Sequence, residues 1–474
     1  MLFSFLNLSL LPEIILAIGI LATLMTGCFV KTKLLVWVQA ISTLMVCLLS
    51  LVIFDPNSIS IEHSHILTDS LTKNLQIASV ITLLFVLLYN KYWVENDKHL
   101  SYEAIVLSLV ALLGSWIVIA AQHMVMLFVG IELMSLPLYA LVAIRSKAED
   151  ESSSQGVEAA LKYFITGSMA SACLLYGISL LFGATGALDY SSILSAISAM
   201  NFSEYSLIVG LVFIVAALGF KFGLFPFHMW VPDVYQGAPL SVTFLIATLP
   251  KIAYLGFVIR FFGGVVINNT AVWQPLFIFL GVGSIIVGNC LAFLQTNLLR
   301  LLGYSSIAHM GVLCLSFIIA QDQGWQAAQF YVLTYILTVS LVFGTLAHLN
   351  YSGSNCKNIV DLKGLSKLQP ASALFLLIGL FSLAGVPPLV GFLAKFSIIK
   401  VLIIDHINIA VLVVLMSCVG CFYYIKLIRE MYFEEGVVRP QKVISATARV
   451  VLIVNAGLVL LVGVMPILLT QFIG

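Results

Sequence analysis

The sequence predicts an all-α polytopic membrane protein of about fourteen transmembrane helices, and three observations carry that reading. Of its 474 residues, 61% are hydrophobic and 9% charged, with a mean hydropathy of +1.11. Soluble domains run at about 45–50% apolar and about 25% charged. Apolar stretches near the ~20 residues that cross a bilayer as a helix recur along the whole chain. Lys and Arg also fall on alternate connections between these stretches, as the positive-inside rule requires. The composition excludes an ordinary soluble enzyme and a disordered chain. A net charge of +1 gives no basic face for nucleic acid.

In chain order the predicted spans are 9–30, 34–53, 74–93, 103–121, 123–144, 158–184, 205–225, 238–259, 272–294, 302–320, 326–349, 370–399, 407–425 and 450–470. The opening run has no Lys or Arg ahead of it and includes Glu13, so it reads as a retained helix rather than a cleaved signal. The seventh span runs into Phe225-Pro226-Phe227-His228 and continues as a short piece towards Gly237. The twelfth exceeds one crossing and contains Gly385-Val386-Pro387-Pro388. Both read as helices broken at membrane depth, which is tolerated only where protein or water satisfies the freed backbone groups. Gly167-Ser168-Met169-Ala170-Ser171 in the sixth span allows close backbone approach.

An even number of spans puts both termini on one side. Fifteen of the 22 Lys and Arg then fall on the opposite side, and three (Lys73, Arg260 and Lys400) on the terminal side. The termini are therefore expected outside and the cationic loops in the cytoplasm. Four lysines remain inside spans: Lys162, Lys221, Lys251 and Lys395. Glu132 sits in the middle of the fifth span. A charge at the bilayer centre costs ~2.5 to over 10 kcal/mol, so its retention points to a function.

Two bland readings compete. Lys162 lies near the acidic loop Glu149-Asp150-Glu151 and can snorkel to the headgroups. Glu132 can form a static ion pair that only fixes packing. The functional reading is a proton relay. Burial disfavours the charged form of a lysine and a nearby carboxylate favours it. A Glu132–Lys221 pair that separates is then a proton switch, with Lys251 and Lys395 as later stations. Among the histidines, His228 follows the Pro226 break, His309 sits in Tyr304-Ser305-Ser306-Ile307-Ala308-His309, and His348 lies near a helix end. Each is a relay candidate or a hydrogen-bonded packing residue. His63, His65, His99, His123 and His406 read as loop or interface residues. The eight cysteines are scattered, and Cys418-x-x-Cys421 lies in an apolar helix without His or acid beside it, which reads as packing. No His/Cys/acid run has metal-ligand spacing and no Gly-rich phosphate loop follows a strand, so no redox cofactor or metal is expected in this chain.

Several of these segments carry a family resemblance. Gly130-Ile131-Glu132-Leu133-Met134-Ser135-Leu136-Pro137 resembles the fifth-helix motif of the antiporter-like subunits of respiratory NADH-quinone oxidoreductase, Complex I. The run from Lys221 through Pro226-Phe227-His228-Met229-Trp230 to Pro239 resembles that family's broken seventh helix, and Pro232-Asp233-Val234-Tyr235-Gln236-Gly237-Ala238-Pro239 resembles its N branch. Arg300 to Gly311, and Ser382-Leu383-Ala384-Gly385-Val386-Pro387-Pro388 with Gly391-Phe392-Leu393-Ala394-Lys395-Phe396, match as well. Lys395 favours the N or L branch over M, which carries glutamate there. The end at Gly474 favours N over L.

The resemblance implies two inverted five-helix repeats, roughly 103–265 and 270–428, flanked by helices at both ends. It implies that Glu132 modulates Lys221, that Lys251 is the central relay and that Lys395 is the terminal group near the exit. Lys162 would link the site to the cytoplasm, and His309 would lie on the polar axis. The implied partners are other membrane-arm subunits, especially antiporter-like subunit M and small subunits J and K. NADH, FMN, iron–sulfur clusters and quinone are expected on partner subunits. The implied location is the bacterial inner membrane with periplasmic termini. The runner-up is a subunit of a multisubunit cation/proton antiporter without redox activity. A third reading is a packing scaffold with silent charges.

Overall fold

The computed structural model describes residues 10–30, 32–53, 65–89, 91, 102–144, 151–199, 205–351, 357–435 and 446–473. Several residues of the sequence reading lie outside them: the first nine residues, the loop charges Lys31, Lys98, Arg145, Lys147, Glu149, Asp150, Arg439 and Lys442, together with His63, His99 and Cys356.

The helices are α1 (Leu11–Phe29), α2 (Lys33–Ile53), α3 (Ser70–Tyr89), α4 (Tyr102–Ala120), α5 (Met124–Ala143), α6 (Glu151–Thr185), α7 (Tyr190–Ala199), α8 (Tyr205–Phe222), α9 (Trp230–Gly237), α10 (Leu240–Arg260), α11 (Thr270–Phe293), α12 (Leu298–Phe317), α13 (Asp322–Tyr351), α14 (Pro370–Ala384), α15 (Val390–Asp405), α16 (Ile407–Tyr432), α17 (Ala446–Val464) and α18 (Ile467–Ile473). Thirteen helices of the described residues are long and apolar enough to cross a membrane alone. The pair α14/α15, broken between Ala384 and Val390, takes the place of the predicted twelfth span. Among the described residues, α7, α18 and a single turn at Leu365–Leu368 are too short to span; α7 and that turn fall outside the predicted spans.

The chain divides into two compact units. The first comprises Met1–Leu218 with Leu249–Asn269, the second Gly219–Thr248 with Thr270–Gly474.

In the first unit, polar side chains peg apolar helices together, because a buried polar group without a partner is costly. Trp37 Nε1 donates to Leu87 O at 3.0 Å, Gln76 Nε2 to Glu13 Oε1 at 2.7 Å, and Trp116 Nε1 to Ser79 Oγ at 2.8 Å. These bonds tie α2, α1 and α4 to α3. Helices α4 and α5 meet backbone to backbone: a Cβ on Gly114 would lie 2.4 Å from Met134 N. On α6, Gly167 of the predicted small-residue stretch lies against α5, where a Cβ would meet the Tyr139 hydroxyl at 2.1 Å.

Arg260 was expected as a loop charge, but its side chain is buried at the end of α10. It donates to Asp69 Oδ1 at 2.6 Å, Asp69 Oδ2 at 3.1 Å, Thr72 Oγ1 at 2.5 Å and Ile119 O at 2.8 Å. The guanidinium fork thus locks the end of α10 to the start of α3 and the end of α4. Burial pushes the Asp69 carboxyl up, but the Arg260 guanidinium and the Thr72 amide and hydroxyl outweigh it and hold it below the usual carboxylate range.

In the second unit, α11 and α12 meet as closely as α4 and α5 do: a Cβ on Gly288 would lie 2.7 Å from Ala308 N. Trp273, Phe277, Tyr331, Tyr423 and Tyr424 fill the core. Arg300, also expected as a loop charge, pairs with Asp233 on α9 at 2.6 Å and donates to Gln236 Oε1 at 3.1 Å. It anchors the short helix after the first break to the start of α12.

Replacing Arg260 by Met should lower stability by about 2–4 kcal/mol, because it leaves the Asp69 carboxylate without its main partner. Thermal unfolding of the purified protein checks this. A depressed native carboxyl contributes stability that is fully present above its unfolded value near ~3.9 and is lost as pH falls through the folded value. Below about pH 4 the wild-type melting temperature should therefore fall more steeply than that of Asp69→Asn.

Candidate functional site

Both helix breaks are built on the same local chemistry. Gly223 (φ 76°) and Gly385 (φ 86°) hold the left-handed conformation that ends a helix at no steric cost. Gly223 N bonds Phe220 O and Leu224 N bonds Gly219 O, at 2.9 and 2.7 Å. In the second break Gly385 N bonds Ser382 O and Val386 N bonds Phe381 O, both at 3.0 Å. This is the Schellman pattern, which satisfies two of the four free carbonyls at a helix C-terminus. The rest need other donors.

At the second break the donor is the lysine singled out in the sequence. Lys395, on α15, bonds Leu383 O at 2.9 Å and Ala384 O at 3.0 Å through Nζ. These are the last two carbonyls of α14, so the ammonium sits on the negative end of a half-helix. Close approach of α15 makes this possible. Gly391 lies so near α14 that a Cβ would sit 1.8 Å from Ser382 O. Its amide donates to Ser382 Oγ at 3.2 Å.

Lys395 and His309 line one cavity, with room for roughly one water molecule. Tyr331, Thr334, Tyr335 and Thr338 line it from α13, and Ser382 from α14. His309, on α12, is bonded at both ring nitrogens: Nδ1 to the Tyr331 hydroxyl at 2.7 Å and Nε2 to the Tyr424 hydroxyl at 3.1 Å. The Tyr424 hydroxyl also bonds Ser305 Oγ. Tyr335 and Tyr235 both donate to Ser306 Oγ, at 3.0 and 3.3 Å, and Thr338 Oγ1 bonds Ser382 Oγ at 3.0 Å. Each hydroxyl both donates and accepts, and so does a neutral imidazole. The arrangement can hold a proton and pass it along.

The other predicted residues lie elsewhere along the chain. Lys221 is buried in the last turn of α8, immediately before the first break. His228 is buried within that break, and its Nδ1 has no hydrogen-bond partner among the described residues. Phe225 N donates to Ser284 Oγ at 2.8 Å and Trp230 Nε1 to Phe220 O at 3.1 Å, so side chains complete the backbone bonding here too. Lys251, on α10, is 2% exposed and follows Pro250, whose missing N–H frees a carbonyl in the adjacent turn. Glu132 is half-buried on α5, where Pro137 interrupts the ladder in the same way, and it accepts from Ser171 Oγ of α6. His348 is buried near the end of α13.

Lys162 departs from the expectation of a buried charge. It lies on an outer face of α6, 45% exposed, and pairs with Glu158 one turn earlier at 2.7 Å. Apolar neighbours along the chain hid which face of the helix it occupies.

A family model described as NADH:quinone oxidoreductase/Mrp antiporter, TM, matches residues 121–420. The NADH-quinone oxidoreductase subunit N of Laribacter hongkongensis is 38% identical over 466 residues, 96% of this chain and 94% of that protein. The chain belongs to the NADH:quinone oxidoreductase/Mrp antiporter family. A chain of respiratory complex I from Thermus thermophilus superposes with a TM-score of 0.83 at 29% identity, covering 97% of this chain and 99% of that one. A chain of the Mrp complex from Dietzia sp. DQ12-45-1b superposes with a TM-score of 0.87 at 18% identity, covering 99% and 96%, which shows the shared fold.

Sequence reasoning missed the hydroxyls around His309, although a signal was present. Tyr331, Thr334, Tyr335 and Thr338 are spaced i, i+3, i+4 and i+7, a polar stripe along one face of an otherwise apolar helix. Cys421 faces Ala384 O at 3.6 Å and Cys418 is exposed. The Cys-x-x-Cys spacing thus places one sulfur against the helix break and the other on the outer face.

Gly385→Ala should cost ~1 kcal/mol or more, because its φ suits glycine and its Cβ would press Lys395 Cδ at 3.1 Å. Gly391→Ala should do far worse, since the obstructing atom is backbone. The expected result is Gly385→Ala in membranes with a lowered melting temperature, and Gly391→Ala absent or trace, read by immunoblot and thermal unfolding.

Proposed function

We propose that this chain moves protons across the membrane through a relay of buried lysines, with Lys395 and the cavity it shares with His309 as its best-defined station. The chain is an antiporter-like membrane-arm subunit, a subunit N, of an NADH-quinone oxidoreductase, and so part of an enzyme complex. It is a multi-pass membrane protein. The observation that carries the relay reading is the contact of the Lys395 ammonium with the open end of α14, beside a hydroxyl-lined space with room for water.

In this reading Lys221 at the first break and Lys251 on α10 are earlier stations, and Glu132 on α5 modulates the charge on Lys221. His309, bonded to two tyrosines, hands protons on to Lys395. His228 has a lesser role at the first break. Lys162, on an outer face, would link the path to the cytoplasm or to a neighbouring subunit. Protons would pass from cytoplasm to periplasm. The two halves, 103–265 and 270–428, would act as inverted repeats, each with its own broken helix. The partners would be subunits M, J and K in a bacterial inner membrane, with periplasmic termini as the Lys and Arg distribution suggests. NADH, FMN, iron–sulfur clusters and quinone would all be held by partner subunits.

The cation/proton antiporter reading rests on shared fold at 18% identity and is the weaker of the two. Native-gel migration of the tagged chain with an NADH-dehydrogenase-active band separates them.

Lys395→Ala and Lys221→Ala should leave an assembled, NADH-oxidising complex whose NADH-driven proton uptake into vesicles is reduced several-fold. Unchanged uptake in either variant removes that residue from the relay. Loss of assembly with normal uptake per assembled complex favours the scaffold reading.

A further inference from the structure

We propose that His65, His123 and Asp189 form a binding site for a divalent transition-metal cation of the Zn²⁺ type in the first unit. The three residues come from three separate connections, α2–α3, α4–α5 and α6–α7, all at the same end of their helices. Their candidate ligand atoms lie within 4.8 Å of one another. His65 Nδ1 is 3.5 Å and His123 Nε2 4.0 Å from Asp189 Oδ1. The two imidazoles stand edge to face at a centroid distance of 4.8 Å. A tetrahedral Zn²⁺ with bonds of 2.0–2.2 Å needs ligand atoms about 3.3–3.6 Å apart, so a small closing movement of the side chains completes the geometry.

Two further observations point to a ligand here. Asp189 Oδ1 is shielded from solvent and has no hydrogen-bond donor among the described residues. It therefore faces the imidazoles without being satisfied by them, as a ligand oxygen would. The connections are also laced together through their backbones. Gln122 N bonds His65 O at 2.9 Å, Leu67 N bonds Ala120 O at 2.8 Å, Met124 N bonds Leu188 O at 3.0 Å and Tyr190 N bonds Gln122 O at 3.0 Å. The site is held in place before any cation arrives.

Two imidazoles and one carboxylate suit Zn²⁺, with a fourth position left for water. They disfavour Ca²⁺ and Mg²⁺, which take oxygen shells. Binding has one internal consequence. His123 Nδ1 now accepts from Val125 N at 3.1 Å as the cap of α5. Ligation through Nε2 moves the ring proton to Nδ1 and ends that bond, and water replaces it at this exposed helix start. None of the three ligands is a relay candidate.

The test uses the intact complex carrying the full chain, stripped with chelator and dialysed against Zn²⁺ alone. Metal content and the Zn²⁺ absorption edge are then measured for the wild type, His65→Ala and His123→Asn. His65 is a surface side chain, and asparagine keeps a cap acceptor for Val125. Immunoblots normalise each value to folded chain. The expected result is one more bound Zn²⁺ per complex in the wild type than in either variant, or binding at least ~10-fold tighter. The wild-type edge should fit two imidazole nitrogens with oxygen. Equal Zn²⁺ content and affinity in all three proteins overturns the proposal, as does an edge that shows fewer than two imidazoles at the variant-sensitive site.

Discussion

A lysine ammonium inside an apolar bundle must be matched by oxygen, and at Lys395 a helix supplies that oxygen by stopping early. A half-helix that ends within the membrane leaves carbonyls without donors and carries the negative end of its dipole. The two lysines at the breaks are placed differently. Lys221 occupies the last turn of the half-helix itself, while Lys395 reaches back from the following helix to the last two carbonyls of α14. The glycine, the Schellman bonds and the close approach at Gly391 all serve to put the Lys395 amine on a helix end.

That arrangement also suits a movable proton. A rigid carboxylate partner would hold the lysine charge in place. Carbonyl oxygens attract it less strongly, and the apolar surroundings oppose it. The neighbouring hydroxyls of Tyr331, Tyr335, Thr338 and Ser382 and the imidazole of His309 can each donate or accept. Other charges of the chain are tied in fixed ion pairs. Arg260–Asp69 and Arg300–Asp233 join helix ends, and Lys162–Glu158 lies on an outer face.

Much of this was legible in the sequence because length and interruption are local properties. Apolar runs of spanning length gave the helices, and Gly-Pro clusters gave both breaks. Facing is not local. Lys162 and Lys251 both sit in apolar runs, yet one is exposed and the other buried. Arg260 and Arg300 read as loop charges because their acidic partners lie 191 and 67 residues away. The hydroxyl stripe on α13 was spaced to be found, but its residues scarcely disturb the hydropathy of the span. His65, His123 and Asp189 meet only because three connections converge, so no spacing rule could link them.

Lys395 rests on the open carbonyls of α14 beside a hydroxyl-lined cavity with room for water. A density map of the chain in its native membrane assembly, fine enough to show ordered water, tests it most directly. Nζ should lie at hydrogen-bond distance from Leu383 O and Ala384 O, with a water between Lys395 and the His309–Tyr331 pair. A Lys395 side chain turned away from α14, or a dry cavity closed by apolar side chains, would contradict it.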